Sequence, residues 1–136
     1  MPREIKRASL TWKSGLRFLG GPPDGPAITV DGDNTDGPGP MMTLLLAAAA
    51  CSGSDVVVIL EKMRVKLEAF SIEVEGIRRE EEPRRYVAIH LDYRLQGEGL
   101  EPAKARRAID LSLEKYCSVG HSLAADIAIT YALSLG

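Results

Sequence analysis

Two cysteines in 136 residues are too few, and too widely separated, for the disulfide framework that staples small secreted domains. They match no CxxC or zinc-ligand spacing, and neither His90 nor His121 has the neighbours a metal site needs, so neither metal nor cofactor is expected. Basic excess is also absent. A formal charge of -2 gives no footing for nucleic acid, and the run RREEEPRR at residues 78–85 interleaves both signs as a solvated turn does. The opening MPREIKRASLTW lacks the apolar core of a secretory leader. The apolar run at residues 41–51 falls short of the roughly 20 residues a bilayer span requires. These absences point away from membranes and toward the cytoplasm. The glycine-rich stretches GGPPDGP and DGDNTDGPGP lack the strand–GxxxxGK–helix context of a phosphate site.

What is present suits an ordinary soluble protein, with 45% hydrophobic and 26% charged residues, and one domain over residues 1–136. Residues 4–13 alternate, Leu10 and Trp12 against Ser9, Thr11 and Lys13, as a half-buried strand does. Short strands follow at residues 16–19, with Arg17 between apolar neighbours, and at 27–30. Residues 31–40 have the composition of a mobile loop. From Pro40 a helix begins that is apolar on nearly every side, as befits a core or a subunit interface, with Gly53 a candidate bend. Strands at residues 70–75 and 87–95 alternate and should pair antiparallel, with His90 on the solvent side. Glu101-Pro102 opens a second helix with Ala105, Ala108, Ile109, Leu113 and Tyr116 on its apolar face. Trp12 and Tyr116 are both expected in the core. A last strand covers residues 127–133. The order βββαββαβ, with antiparallel hairpins and segregated helices, is α+β.

The chemistry rests on Cys51, in PMMTLLLAAAACSGSDVVVILEKMR, and Cys117, in EKYCSVGHSL. By pattern alone, a cysteine in an Ala/Leu helix is more often inert packing than a reactive thiol. Reactivity calls for a cation or helix N-terminus to hold a thiolate and a second thiol to resolve the oxidised form. Cys117 stands where a short further turn of helix can begin, a place whose N–H groups favour a thiolate.

These two segments, in this order, resemble the signature segments of the OsmC/Ohr family, and the strand and helix order agrees along nearly the whole chain. The resemblance implies an OsmC-like fold with antiparallel sheets around a central apolar helix, and an intertwined homodimer with its sites at the interface. It also implies an antioxidant, stress-response peroxidase activity on organic hydroperoxides. Cys51 would be the nucleophile that becomes a sulfenic acid, Cys117 would resolve it as a disulfide, and a dithiol would reduce the product. Where the family places a glutamate that orients a catalytic arginine, this chain has Met41 and Met42. Arg17 is the candidate activating cation. Met41, Met42 and His121 are candidates for the substrate pocket. The other reading is a non-catalytic dimer of the same fold that binds a hydrophobic small molecule or senses redox state through its thiols.

Overall fold

The structure is a computed structural model that describes residues 3–136. They fall into two compact units divided after Leu44. The first is an antiparallel meander of β1 (Ser9–Ser14), β2 (Arg17–Gly21) and β3 (Ile28–Asp31), side by side in that order. Gly15, at φ +52°, supplies the left-handed residue of the tight turn between β1 and β2. Trp12 Nε1 donates to its carbonyl at 2.9 Å. Trp12 pairs with Phe18, Phe18 with Val30, and Gly20 with both Leu10 and Ile28, so the apolar residues share one face. The alternation predicts a half-buried β1, yet all six of its residues are exposed, Trp12 at 63%. A single layer of sheet cannot bury its own face, whatever its pattern.

Residues 31–40, expected as a mobile loop, are instead wound around Asp31. Its fully buried carboxylate accepts backbone N–H groups from Asp33 at 2.9 Å, Asp36 at 3.0 Å and Thr35 at 3.3 Å. Asn34 Oδ1 accepts from Gly39 N at 2.8 Å. The N–H of Asp36, then that of Asp33, holds the Asp31 carboxyl below its ordinary range against the cost of burial, with smaller help from Thr35 and Arg17. A lowered folded pKa stabilises above the ordinary carboxylate value and loses that stabilisation as pH falls through the folded one. Asp31→Asn is therefore expected to lower stability at neutral pH and to flatten its dependence on pH below about 4. Coincident acid-unfolding curves for variant and wild type would remove this role.

The central helix α1 (Pro40–Lys62) starts from Pro40, with the amide and hydroxyl of Thr43 both 2.8 Å from the Gly39 carbonyl. It runs unbroken through Gly53, the expected bend. A Cβ at Gly53 would sit 3.4 Å from Ile72 Cδ1 and 3.6 Å from the Phe70 ring, ordinary contact distances. At 23 residues the helix is long and apolar enough to cross a bilayer, although residues 41–51 alone are not. A core helix passes the same test, and α1 buries Leu45, Ala48, Ala49, Ser52, Val56 and Leu60.

The second unit is built on a sheet ordered β4 (Lys66–Arg78), β5 (Tyr86–Glu98), β6 (Ala128–Leu135). β4 and β5 form the expected antiparallel pair, and Ile89, Leu91, Tyr93 and Leu95 on β5 face the core. β6 runs parallel to β5 rather than closing a hairpin, because the helical connection carries the chain back before the strand begins. That connection is α2 (Pro102–Leu111), a π turn (Ser112–Tyr116) and a short α3 (Ser118–Ser122). The class is α+β, with α3 added to the anticipated order. The widened turn shifts the phase of the helix. Tyr116, expected in the core, is therefore 49% exposed beneath the Lys115 ammonium, and Cys117 turns inward at 2%.

Candidate active site

Cys51 comes from the middle of α1, and Cys117 from the junction of the π turn and α3. Every polar group of Cys117 is held. Its N–H donates to the Ser112 carbonyl at 2.7 Å, closing the π turn, and its carbonyl accepts from His121 N at 3.0 Å. Its Sγ caps α3 by accepting from Gly120 N at 3.4 Å. So fixed, the Cys117 thiol neighbours the Cys51 side chain, which helps to keep its proton in place, and both thiols are free. Burial, above all, pushes the Cys117 thiol above its ordinary value; the Gly120 amide opposes this, while Cys51 and the Asp55 carboxylate add to it. Cys117 is thus a protonated thiol at neutral pH, which suits a partner that waits rather than one that attacks first.

Beneath the thiols lies a polar chain that sequence patterns did not single out. Ser112 Oγ is 2.9 Å from Ser52 Oγ and 2.9 Å from Asp55 Oδ2, and Ser52 Oγ is 2.5 Å from the Tyr93 hydroxyl. Tyr93, Ser52 and Ser112 are fully buried. Burial pushes the Tyr93 phenol up to about 12, so it keeps its proton. The available signals were Asp55, a carboxylate one helical turn after Cys51 inside the apolar stretch of α1, and Ser112, at heptad spacing from Ala105 on the buried face of α2.

Arg17 Nε pairs with the Asp36 carboxylate and lies 3.5 Å from Asp31 Oδ2, so its charge is answered inside the first unit. Met41 and Met42 occupy the first turn of α1, within the first unit, with Met42 exposed. His121, on α3, joins Cys117, Leu113, Gly120, Leu123 and Ile127 around a pocket of about 270 Å³. A second hollow of about 400 Å³ runs between α1 and β4, lined by Leu46, Ala50, Val57, Phe70 and Ile72. His90 is exposed on β5, its Nδ1 2.7 Å from Thr130 Oγ1. Among the described residues, no three His, Cys, Asp or Glu side chains converge as a metal would require.

Comparison with known proteins bears on the family and the fold. The family model for OsmC-like proteins matches residues 32–132. Protein YhfA of Escherichia coli K12 is 41% identical over 126 residues, 92% of this chain and 94% of YhfA. The crystal structure of a hypothetical protein from Aquifex aeolicus is 32% identical with a TM-score of 0.84, over 98% of this chain and 99% of that one. The organic hydroperoxide resistance protein OhrB of Bacillus subtilis shares the fold at a TM-score of 0.62 and 15% identity, over 94% of this chain and 98% of OhrB.

Proposed function

We propose, from the premise that this chain belongs to the family of OsmC-like proteins, that it is a thiol-dependent peroxidase acting on organic hydroperoxides. The observation that carries the proposal is the meeting of two free thiols, from segments far apart in sequence, close enough to influence one another. The Cys51 thiolate attacks the terminal oxygen of the hydroperoxide. The O–O bond breaks, the alcohol leaves with a proton, and Cys51 becomes a sulfenic acid. Cys117 then displaces that oxygen as water and forms the disulfide, which a dithiol reduces. The apolar hollow beside α1 and the His121 pocket beside Cys117 supply surface for an alkyl or aryl group.

The whole chain acts in this proposal as one domain, in the cytoplasm, and as a homodimer. Leu46, Val57 and Val58 lie exposed on α1 in the single chain, and a second copy is the proposed cover. Sedimentation at the mass of one protomer would remove the dimer.

A second reading is a redox sensor or small-molecule binding protein. It is favoured by Met41 and Met42, which stand where the family's glutamate is expected, and by the engagement of Arg17 with Asp31 and Asp36. One experiment separates the two. Reduced protein receives one equivalent of cumene hydroperoxide, peptide masses are read without reductant, and dithiothreitol-driven peroxide loss is followed in parallel. A Cys51–Cys117 disulfide with repeated turnover is expected of the peroxidase. A single oxidation without turnover supports the sensor, and thiols that stay reduced support the binding protein. In the same assay Arg17→Ala slows Cys51 oxidation only if that guanidinium serves the thiol.

A further inference from the structure

The polar chain beneath the thiols is continuous from Tyr93 to Asp55. Each hydroxyl carries one proton, and a carboxylate only accepts. The Ser112 hydroxyl has three acceptors in reach, Asp55 Oδ2 and Ser52 Oγ at 2.9 Å and the Ser52 carbonyl at 3.5 Å, and Ser52 Oγ lies 2.5 Å from the Tyr93 hydroxyl. Buried hydroxyls are costly unless fully paired, so this chain is rigid only when complete. Its ends are telling. Ser52 follows Cys51 in α1, Asp55 lies one turn further on, and the carbonyl of Ser112 itself holds the Cys117 amide at 2.7 Å. Ser112 is thus bonded to both thiol-bearing segments, to one through its side chain and to the other through its backbone. The π turn makes the double attachment possible, because its wider ring sends a backbone bond from residue 117 to residue 112.

We propose that Ser112, oriented by Asp55 and anchored through Ser52 and Tyr93, is the positioning residue that sets Cys117 against Cys51 for disulfide formation. In that step the Cys117 sulfur attacks the sulfur of Cys51 sulfenic acid and the S–O bond breaks. The hydroxide leaves with the Cys117 proton as water, and the oxidising equivalents are those of the hydroperoxide, already reduced to alcohol. Asp55 has a second effect. Its negative charge favours the protonated form of Cys117, so the partner thiol stays in reserve until Cys51 carries oxygen. Neither role concerns the first oxidation, which involves Cys51 alone.

The inference rests on Cys51 and Cys117 being a working redox pair, and its test is chosen to fail separately from the peroxidase assignment. Reduced wild type, Ser112→Ala and Asp55→Asn are oxidised with diamide, which takes up two electrons and two protons from a dithiol whatever its natural oxidant. Disulfide closure is timed by peptide mass between pH 6 and 10, with circular dichroism as the check on folding. Ser112→Ala is expected to close the disulfide on the order of tenfold to a hundredfold more slowly, the cost of a thiol misplaced by about an ångström. Asp55→Asn keeps an oxygen for Ser112 but loses the charge, so its closure profile should move to lower pH, a shift that a merely structural role would not produce. If Ser112→Ala does not fold, the Asp55→Asn profile decides. Closure at wild-type rate with an unmoved profile in the variants overturns the inference. So does a wild type that forms no disulfide with diamide. A wild type that closes with diamide and ignores cumene hydroperoxide sinks the peroxidase assignment alone, and the variant comparison still settles the role of Ser112.

Discussion

Cys51→Ser is expected to abolish hydroperoxide-driven turnover while leaving the fold in place. A serine hydroxyl neither ionises near neutral pH nor takes up oxygen from a peroxide, so the first bond cannot form and nothing downstream follows. Cys51 is half-buried on a helix whose packing rests mainly on Leu45, Val56 and Leu60. The exchange should therefore cost about 1 kcal/mol or less, and circular dichroism should be unchanged. The readout is dithiothreitol-dependent loss of cumene hydroperoxide, with the Cys117 peptide followed by mass. Peroxide consumption at the wild-type rate would show that Cys51 is not the nucleophile. Transfer of the oxidation to Cys117, with turnover kept, would exchange the two roles.

The elements around these thiols were legible where a pattern has one physical cause. Alternation along β5 predicted one apolar face through Val87, Ile89, Leu91, Tyr93 and Leu95, and all of these but the half-buried Val87 lie in the core. The apolar run after Pro40 predicted the central helix, and the two cysteine segments pointed to the family. Alternation along β1 likewise identified an apolar face, but it carries no information on what covers it, and Leu10 and Trp12 stand exposed. A π turn has no compositional signature. One residue of phase shift after Leu111 moved Tyr116 outward, turned Cys117 inward and gave Ser112 a role that helical spacing alone could not assign. The engagement of Arg17 was equally invisible, since it depends on the register that pairs Arg17 with Asp31 and on the winding of the loop that brings Asp36 to it. A reader of sequence sees residue types at intervals. The partners of a buried polar group are set by the packing of elements that the intervals do not order.

Cys117→Ser should separate the two halves of the reaction. Serine is a preferred residue at a helix N-cap, and its hydroxyl can accept from the Gly120 amide that now reaches Cys117 Sγ at 3.4 Å. The short α3 and the π turn should therefore survive, and the variant should fold. The first equivalent of cumene hydroperoxide should be consumed as quickly as in wild type, since that step involves Cys51 alone. With no partner thiol, the sulfenic acid persists and a second equivalent carries it to sulfinic acid, a gain of about 32 Da on the Cys51 peptide that a dithiol does not reverse. Repeated turnover should collapse after the first cycles. In wild type the disulfide step should instead quicken with rising pH, and continue to do so past the ordinary cysteine value near 9.0, because burial, Cys51 and Asp55 all keep the proton on Cys117. Full turnover by Cys117→Ser, with no sulfinic acid on Cys51, would mean that the external dithiol attacks the sulfenic acid directly. The meeting of the two thiols would then be a matter of packing, and Ser112 and Asp55 would have nothing to position.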